Sequence, residues 1–340
     1  NGGHMTQRIG TFAYNTSRGL GHLAHDFYRH GLLTDMLVVR HPSVPSNAEW
    51  YPGAPEVPLR GIANHADTLK DFVRGLDAML FFETPHFWPI IDYCREIGVR
   101  TYLCIMHECL PIHHPTPHKY LCPSLLDMHY FPDGTLVQLP VEYPWRLRTR
   151  AETFVHNGGY LGLKGSDGHN REGTTTLIEA MQYVTSPARL ILRCQENVPD
   201  KWRQMAEADP RIDYRPAAVP YEDLYATGDV AIGAQKWNGC SLPLQEAFAS
   251  GMLVMNTDRF PMTEWLPREP LIPVAGTARH QIGGAYLEFE ESLIDPRAIA
   301  AKIDAWFGKD ITEYSLQGIE WAERNSWEAL LPQWREALAS

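Results

Sequence analysis

The densest chemistry in this chain lies in Trp237-Asn238-Gly239-Cys240-Ser241-Leu242-Pro243-Leu244-Gln245-Glu246-Ala247-Phe248-Ala249-Ser250-Gly251. The pattern predicts a tight turn, a short helix, and then a strand over Met252–Asn256. Pro243 suits the first helical turn, where its missing N–H costs nothing. Gly251 suits the position just past the helix end. The amides of Gly239, Cys240, Ser241 and Leu242 open that helix, and helix starts favour anions and polar ligands. Glu246 lies close enough to offer a carboxylate to the same ligand. A carboxylate accepting paired hydrogen bonds suits a diol such as a ribose.

Two further groups of residues carry chemistry. Asn15-Thr16-Ser17-Arg18-Gly19-Leu20-Gly21 follows an apolar strand and precedes a helix, so Gly19, Leu20 and Gly21 form a second anion-friendly helix start. Cys104, His107, Cys109, His113, His114, His118 and Cys122 crowd a short segment. Zinc takes Cys and His ligands, but this spacing fits no standard finger. Pro115 and Pro117 oppose the helix that would align His114 with His118. No Asp-x-Asp triplet occurs, and no metal ligand is assigned. The His-rich loop reads instead as a surface for binding a polar molecule. His113 and His114 belong to it, and Tyr14, His22, His86 and Trp88 can join it, since aromatic faces suit sugar rings.

These residues need a frame to hold them. The chain has 340 residues, 44% hydrophobic and 21% charged, enough for two domains with sizeable cores. No apolar run is long enough to span a bilayer and no secretory signal is visible, so a cytoplasmic protein is expected. Asn1-Gly2-Gly3-His4-Met5 reads as an appended leader ahead of a native start. The six cysteines contain no Cys-x-x-Cys pair and are expected as reduced thiols. A net charge of −11 argues against a nonspecific polyanion binder. The charge is uneven: residues 1–150 hold 13 basic against 14 acidic side chains, a net of −1, and the remainder 17 against 27, a net of −10. The first half also holds 12 of the 15 histidines, so a polyanionic acceptor there stays open.

Apolar runs alternate with helical periodicity along the whole chain. Strands are expected at 9–14, 37–39, 78–82 and 101–106, and helices at 22–30, 67–75 and 88–97. The proline-rich stretch 41–60 reads as a surface loop. Residues 132–153 lack periodicity and mark a domain boundary. A second alternation follows, with strands at 153–157, 190–193, 212–214 and 229–233 and helices at 174–183, 201–208 and 221–227. The six glycines of 158–173 mark a long loop, and helices close the chain at 296–307 and 327–338. This rhythm predicts parallel sheets covered by helices.

The segment that opens at Trp237 resembles the donor-binding segment of retaining glycosyltransferases of family 4, which reads Glu, seven residues, Glu around Gly-Phe-Gly-Leu-Pro. Glu246 matches the second Glu, Asn238 stands at the first, and Gly239-Cys240-Ser241-Leu242-Pro243 replaces the glycine-rich centre. Gly173-Thr174-Thr175-Thr176-Leu177-Ile178-Glu179-Ala180 is similar to the family's Lys-Gly-x-x-x-Leu-Ile-Glu-Ala, with Glu172 at the Lys. Asp223–Val230, Pro261-Met262-Thr263-Glu264 and Ser326-Trp327-Glu328 are similar to further pieces, and His107-Glu108-Cys109-Leu110-Pro111 to the family's strand-end His followed by Asp and Pro. At the family's Gly-Arg-Leu this chain reads His156-Asn157-Gly158-Gly159-Tyr160.

The resemblance implies an α/β protein of two Rossmann-like doubly wound domains facing a cleft, the GT-B architecture. An acceptor-binding domain is expected over 5–150, a nucleotide-sugar-binding domain over 151–310, and helices over 311–340 packing back toward the first. It implies a retaining glycosyltransferase with a nucleotide-sugar as donor substrate, no cofactor and no metal. His107 and Asn238 would contact the reacting sugar and Glu246 the ribose. Lys164 and Arg171 would replace the missing diphosphate cations, though both also read as solvated loop charges. The acceptor stays open among a small molecule, a glycan and a modified base of phage-type DNA. A non-catalytic nucleotide-sugar-binding protein of the same fold is the other alternative.

Overall fold

Strands that are apolar along their whole length bury both faces, and this chain builds two parallel sheets from such strands. The computed structural model describes residues 7–16, 19–159 and 161–339. Residues 1–5, expected above as an appended leader, lie outside the described residues, as do Ser17, Arg18 and Tyr160. The chain divides into two compact units. One is Asn1–Gln138 with Gly283–Leu287 and Leu331–Ser340; the other is Leu139–Ile282 with Glu288–Leu330.

The first unit contains β1 (Ile9–Ala13), α1 (Gly19–Arg29), β2 (Asp35–Arg40), β3 (Glu56–Pro58), α2 (Ala66–Val73), β4 (Ala78–Phe82), α3 (Pro89–Glu96), β5 (Arg100–Cys104), β6 (Lys119–Cys122), α4 (Leu125–Tyr130) and β7 (Thr135–Leu136). The strands pair in parallel in the order β3-β2-β1-β4-β5-β6-β7. Every residue of β1 and β4 is buried, and Ile9 lies beside Ala78 in the centre of the sheet. The strand order reverses between β1 and β4, which opens a crevice beyond their carboxyl ends. α1 starts there. A Cβ on Gly21 would collide with the Thr16 carbonyl oxygen, so glycine is required where strand, turn and helix meet.

The second unit contains β8 (Thr153–Asn157), α5 (Thr174–Met181), β9 (Arg189–Arg193), α6 (Asp200–Ala208), β10 (Ile212–Arg215), β11 (Val230–Ile232), α7 (Leu242–Ala249), β12 (Leu253–Met255), β13 (Gly276–Gln281), β14 (Glu288–Leu293), α8 (Pro296–Trp306), α9 (Thr312–Arg324) and the start of α10 (Trp327–Ala339). Five strands pair in parallel as β10-β9-β8-β11-β12, and β13 and β14 form an antiparallel hairpin. Successive side chains of a strand point to opposite faces. Phe154, Leu190, Val230 and Leu253 accordingly join the core beneath α5, α6 and α8. Val155, Ile191, Ala231 and Val254 join the core beneath α7 and α9. The order reverses between β8 and β11. The last residues of α10 belong to the first unit, where Trp334 packs edge-on against Phe27 and Tyr102 Oη–H donates to the Leu338 carbonyl at 2.8 Å.

The structure departs from the sequence reading in several places. The helix expected over 221–227 is only a 3-10 turn at Tyr221–Asp223. Its carbonyls are drawn elsewhere: Tyr143 Oη–H donates toward Tyr221 and Glu222, Arg193 donates to Asp223 and Leu224, and Arg148 donates to Tyr225. The loop 41–60 contains β3, and β6, α4, β7 and the β13–β14 hairpin carry no clear periodic signal in the sequence. All six cysteines are free. No helix among the described residues is long and apolar enough to cross a membrane.

Arg148 lies in the aperiodic stretch and is buried at 3% exposure. Its guanidinium donates to the carbonyls of Tyr225 at 2.6 Å, Arg146 at 2.9 Å and Gly228 at 3.1 Å, and to that of Ser250. Burial pulls its pKa down to about 10, and it stays charged at neutral pH. One side chain thus ties the segment before β11 to the end of α7. Arg148→Ala is expected to cost at least about 3 kcal/mol in urea denaturation, because several buried carbonyls lose their donor together. A loss under about 1 kcal/mol would show that water replaces it.

Candidate functional site

At the β8/β11 reversal, the carboxyl ends of the strands deliver His156, Asn157 and Gln235 around a small interior cavity of about 30 Å³ that Glu172, Tyr225 and Leu244 also line. His156 is neutral: burial lowers its pKa, its Nδ1–H donates to the Ile232 carbonyl at 2.8 Å, and Nε2 accepts from Thr174 Oγ1 at 2.8 Å. The turn that starts α7 sits beside this cavity. Ser241 holds φ 48°, in the left-handed region where a side chain costs about 1–2 kcal/mol. Hydrogen bonds enforce the turn. Ser241 N–H donates to Asn238 Oδ1 at 2.7 Å, Gln235 Nε2 donates to Ser241 Oγ at 3.0 Å, and Gln245 Nε2 donates to the Cys240 carbonyl at 2.7 Å. Asn238 is 7% exposed, and its amide oxygen serves this turn. Backbone strain of this kind persists where the surroundings over-determine it, which is common at binding sites.

Glu246 projects from α7 at 6% exposure. Tyr221 Oη–H donates to its Oε1 at 2.7 Å, and Tyr225 Oη lies 3.2 Å from its Oε2. Burial, and then the Glu246 charge, hold the Tyr225 phenol well above its usual pKa. These contacts orient the Glu246 carboxylate.

The long loop before α5 folds back on itself. Arg171 N–H donates to the Leu163 carbonyl at 2.8 Å and Gly165 N–H to that of His169 at 2.8 Å. Lys236, 1% exposed, anchors it from below: its Nζ donates to Glu291 Oε1 at 3.0 Å and to Asp167. Glu291 Oε2 also accepts from Ser166 N–H at 2.9 Å, and a Cβ on Gly165 would collide with Glu291 Oε1. The ion pair holds Asp167 below the usual carboxylate pKa against the opposing effect of burial. Of the two cations expected from sequence, Lys164 is exposed, and Arg171 Nε donates to Glu172 Oε1 at 2.9 Å. Glu172 Oε2 accepts from Gln235 Nε2 at 2.7 Å, which links Glu172 through Gln235 to Ser241.

In the first unit His107 is 1% exposed at a 3-10 turn after β5. Asp127 Oδ1 takes its Nδ1–H at 2.9 Å and its backbone N–H at 3.1 Å, and Ser124 Oγ–H donates to Asp127 Oδ2 at 2.5 Å. Tyr130, one turn along α4 from Asp127, stacks on the imidazole at 4.6 Å. Glu108 Oε2 stands 3.3 Å from Nδ1. His107, Glu108 and Asp127 have ligand atoms within 4.8 Å and form the metal-capable cluster of the described residues, but Asp127 is engaged as a hydrogen-bond acceptor on both oxygens.

The expected acceptor residues form separate ring pairs. Tyr14 lies 4.7 Å from His86, His22 lies 5.1 Å from Trp50, and Trp88 lies 5.0 Å from His114. His113 is exposed. His114 Nδ1 lies 2.7 Å from the Pro111 carbonyl and Nε2 lies 2.9 Å from Tyr120 Oη. Tyr14 and His86 stand at the β1/β4 reversal. Burial and the Glu83 charge push the Tyr14 phenol up to about 12, and burial brings His86 down to about 4. Glu83 and His86 both hold positive φ, at 64° and 58°. Gly19, Leu20 and Gly21 open α1.

Sequence reading missed Lys236, Glu291, Asp127, Gln235 and the two tyrosines on Glu246. The spacing of Tyr221 and Tyr225, four apart, was the one available signal. A wider surface groove of about 850 Å³ between α5 and α6 lies at the amino end of β10, away from these side chains, and is lined by Lys201, Gln204, Met205 and Arg211 among others.

No family model matches the chain, and no curated protein matches it. Solved structures do. The chain is similar to Alr3699/HepE of Anabaena, solved with UDP and glucose, at 12% identity over 98% of this chain and 99% of that one, with a TM-score of 0.66. Sucrose-phosphate synthase of Thermosynechococcus elongatus is similar at 14% identity over 98% of this chain and 99% of that one, with a TM-score of 0.64. CalG4, a calicheamicin glycosyltransferase, is similar at 11% identity over 98% of this chain and 99% of that one, with a TM-score of 0.53. These likenesses establish the fold: two Rossmann-like α/β domains of the GT-B class.

Two substitutions test this geometry. Ser241→Gly is expected to change stability by no more than about 1 kcal/mol, since relief of the left-handed backbone offsets the lost Gln235 bond. Ser241→Val should be at least about 2 kcal/mol worse than Ser241→Gly, because a β-branched residue tolerates that backbone poorly. Equal effects would contradict the turn. Lys236→Met leaves the buried Glu291 carboxylate without its ammonium and should cost about 3–5 kcal/mol. Lys236→Met with Glu291→Leu should recover part of that loss. A double variant no more stable than the single one would show that the pair is not coupled.

Proposed function

We propose that this chain is a retaining glycosyltransferase that moves a sugar from a nucleotide-sugar donor to an acceptor without a metal ion. The observation that carries this reading is Glu246, a tyrosine-oriented carboxylate beside an anion-favouring helix start at the β8/β11 reversal. Open α/β sheets bind ligands at such reversals. The carboxylate suits the ribose diol, and the remaining amides that open α7 suit the diphosphate, the Ser241 N–H being held by Asn238. The same amides would stabilise the leaving group as its charge develops, which is where fixed dipoles accelerate a reaction. Similarity to the family 4 donor segment, and to GT-B proteins solved with UDP and with UDP-glucose, supports the assignment. The second unit is proposed to bind the donor and the first the acceptor, through the Tyr14–His86 and Trp88–His114 ring pairs. His107 is proposed as a hydrogen-bond partner of the reacting sugar. Asp127 holds its Nδ1 proton, which fixes the tautomer.

A second reading, a non-catalytic nucleotide-sugar-binding protein, is favoured by two observations. The Asn238 amide oxygen is committed to its own turn, and Glu172 stands at the lysine of the resembled family. Release of free sugar from the donor separates the two readings.

The test is a thermal-shift series with UDP-, GDP-, ADP- and CMP-sugars in the presence of EDTA. At 100 times its dissociation constant, the correct donor should stabilise by about 2.7 kcal/mol. Glu246→Ala should weaken that donor by about 1.5–3 kcal/mol while the free protein melts as before. Failure of every nucleotide to stabilise the chain would overturn the proposal. A requirement for Mn²⁺ or Mg²⁺ would overturn its metal-independent part.

A further inference from the structure

Three neighbouring strands of the first sheet each deliver a ring beyond their carboxyl ends. In the order β2-β1-β4 these rings are His41, Tyr14 and His86. Tyr14 stands in the middle, 5.7 Å from the His41 ring and 4.7 Å from that of His86. All three are half-buried. The backbone that presents His86 is strained: φ is 64° at Glu83 and 58° at His86. It is held by Glu83 N–H, which donates to the Cys104 carbonyl at 2.8 Å, and by His86 N–H, which donates to Thr84 Oγ1 at 3.1 Å. Such strain recurs at binding sites. Among the described residues, the Tyr14 hydroxyl and the His86 ring nitrogens have no hydrogen-bond partner, and none of these atoms is sealed in the interior. Ser43 N–H donates to His41 Nδ1 at 3.1 Å, so His41 offers an Nε2–H. With His86 brought down to about 4 by burial and Tyr14 held near 12, both are neutral at physiological pH.

We propose that this row of rings is a subsite for an uncharged saccharide, whose hydroxyls bond the Tyr14 hydroxyl and the His86 ring and whose apolar face packs on Tyr14. The inference rests on the assignment of the acceptor to the first unit, and it names the acceptor's chemical class. A saccharide hydroxyl both donates and accepts. The row offers both in return: His41 donates, Tyr14 does either, and a neutral His86 donates from one nitrogen and accepts at the other. A phosphate only accepts, so it would leave one His86 nitrogen without a donor, and neutral rings return little for its lost hydration. Aromatic faces suit sugar rings in the same way. Tyr14 and His86 stand out in the sequence as rings near expected strand ends. His41 sits in the proline-rich stretch and joins them only through the pairing of β1 with β2.

The experiment is a binding screen of the full chain on an array of neutral oligosaccharides, phosphorylated and sulfated oligosaccharides, and duplex DNA. It is run with UDP, GDP, ADP or CMP added and with none, and each ligand that binds is then titrated. Wild type, Tyr14→Phe and His86→Gly are compared. Phenylalanine removes only the hydroxyl, and glycine removes the ring while accepting the left-handed backbone. Wild type is expected to bind neutral saccharides, Tyr14→Phe to bind them about fivefold more weakly, and His86→Gly at least about tenfold more weakly. Melting temperatures should stay as in wild type. A preference for charged saccharides or DNA, no neutral saccharide bound by wild type, or equal saccharide affinity in all three proteins would overturn the inference. A nucleotide that still binds would then leave the donor assignment standing. Neutral saccharide binding that depends on both residues, with no nucleotide bound, would support the row and sink the donor assignment instead. Should His86→Gly not fold, Tyr14→Phe decides, since it changes a single hydroxyl.

Discussion

A buried ammonium sets the geometry of the carboxyl edge of the second sheet. Lys236 lies just beyond β11, and its charge must be met inside the protein. Asp167 and Glu291 meet it, and each brings a different piece of chain with it. Asp167 brings the folded loop before α5, and Glu291 brings β14. The loop therefore cannot drift from the strand end, because drifting would leave buried charges unpaired. Glu172 ends that loop and bonds Gln235, Gln235 bonds Ser241, and Ser241 bonds Asn238. The shape of the α7 turn is transmitted from the ion pairs through this series of polar contacts.

The same polar contacts explain how the site departs from the family it resembles. The resembled segments carry glycine at the position of Ser241 and lysine at that of Glu172. Here Ser241 adopts the left-handed backbone and receives a bond from Gln235, which a glycine could not accept. Glu172 replaces the lysine and receives the other hydrogen of the same Gln235 amide. The two changes are complementary halves of one network. Positive charge is then withdrawn from the loop, where Arg171 is bound to Glu172.

The doubly wound sheets were legible because buried parallel strands are apolar along their length: Ala78–Phe82 and Val230–Ile232 need little context to be recognised. The helix start at Pro243 and the carboxylate at Glu246 were legible for similarly local reasons. What escaped depends on partners distant in sequence. Lys236 reads as a surface residue until Glu291, 55 positions later, encloses it. Tyr221–Thr227 reads as a helix until Tyr143, Arg148 and Arg193 take its carbonyls. Strand β13 alternates half-buried and exposed residues, mostly polar, and lacks an apolar face that would mark it. Asp127 lies 20 residues from His107 and becomes its partner only through the placement of α4.

The proposed activity depends on one location, the start of α7. The most direct test is amide chemical-shift mapping of the ¹⁵N-labelled protein titrated in turn with UDP, GDP and ADP. The expected result is that one nucleotide moves the amides of Gly239, Cys240, Ser241 and Leu242 most. Shifts concentrated along the groove between α5 and α6, with the 239–242 amides unmoved, would contradict it.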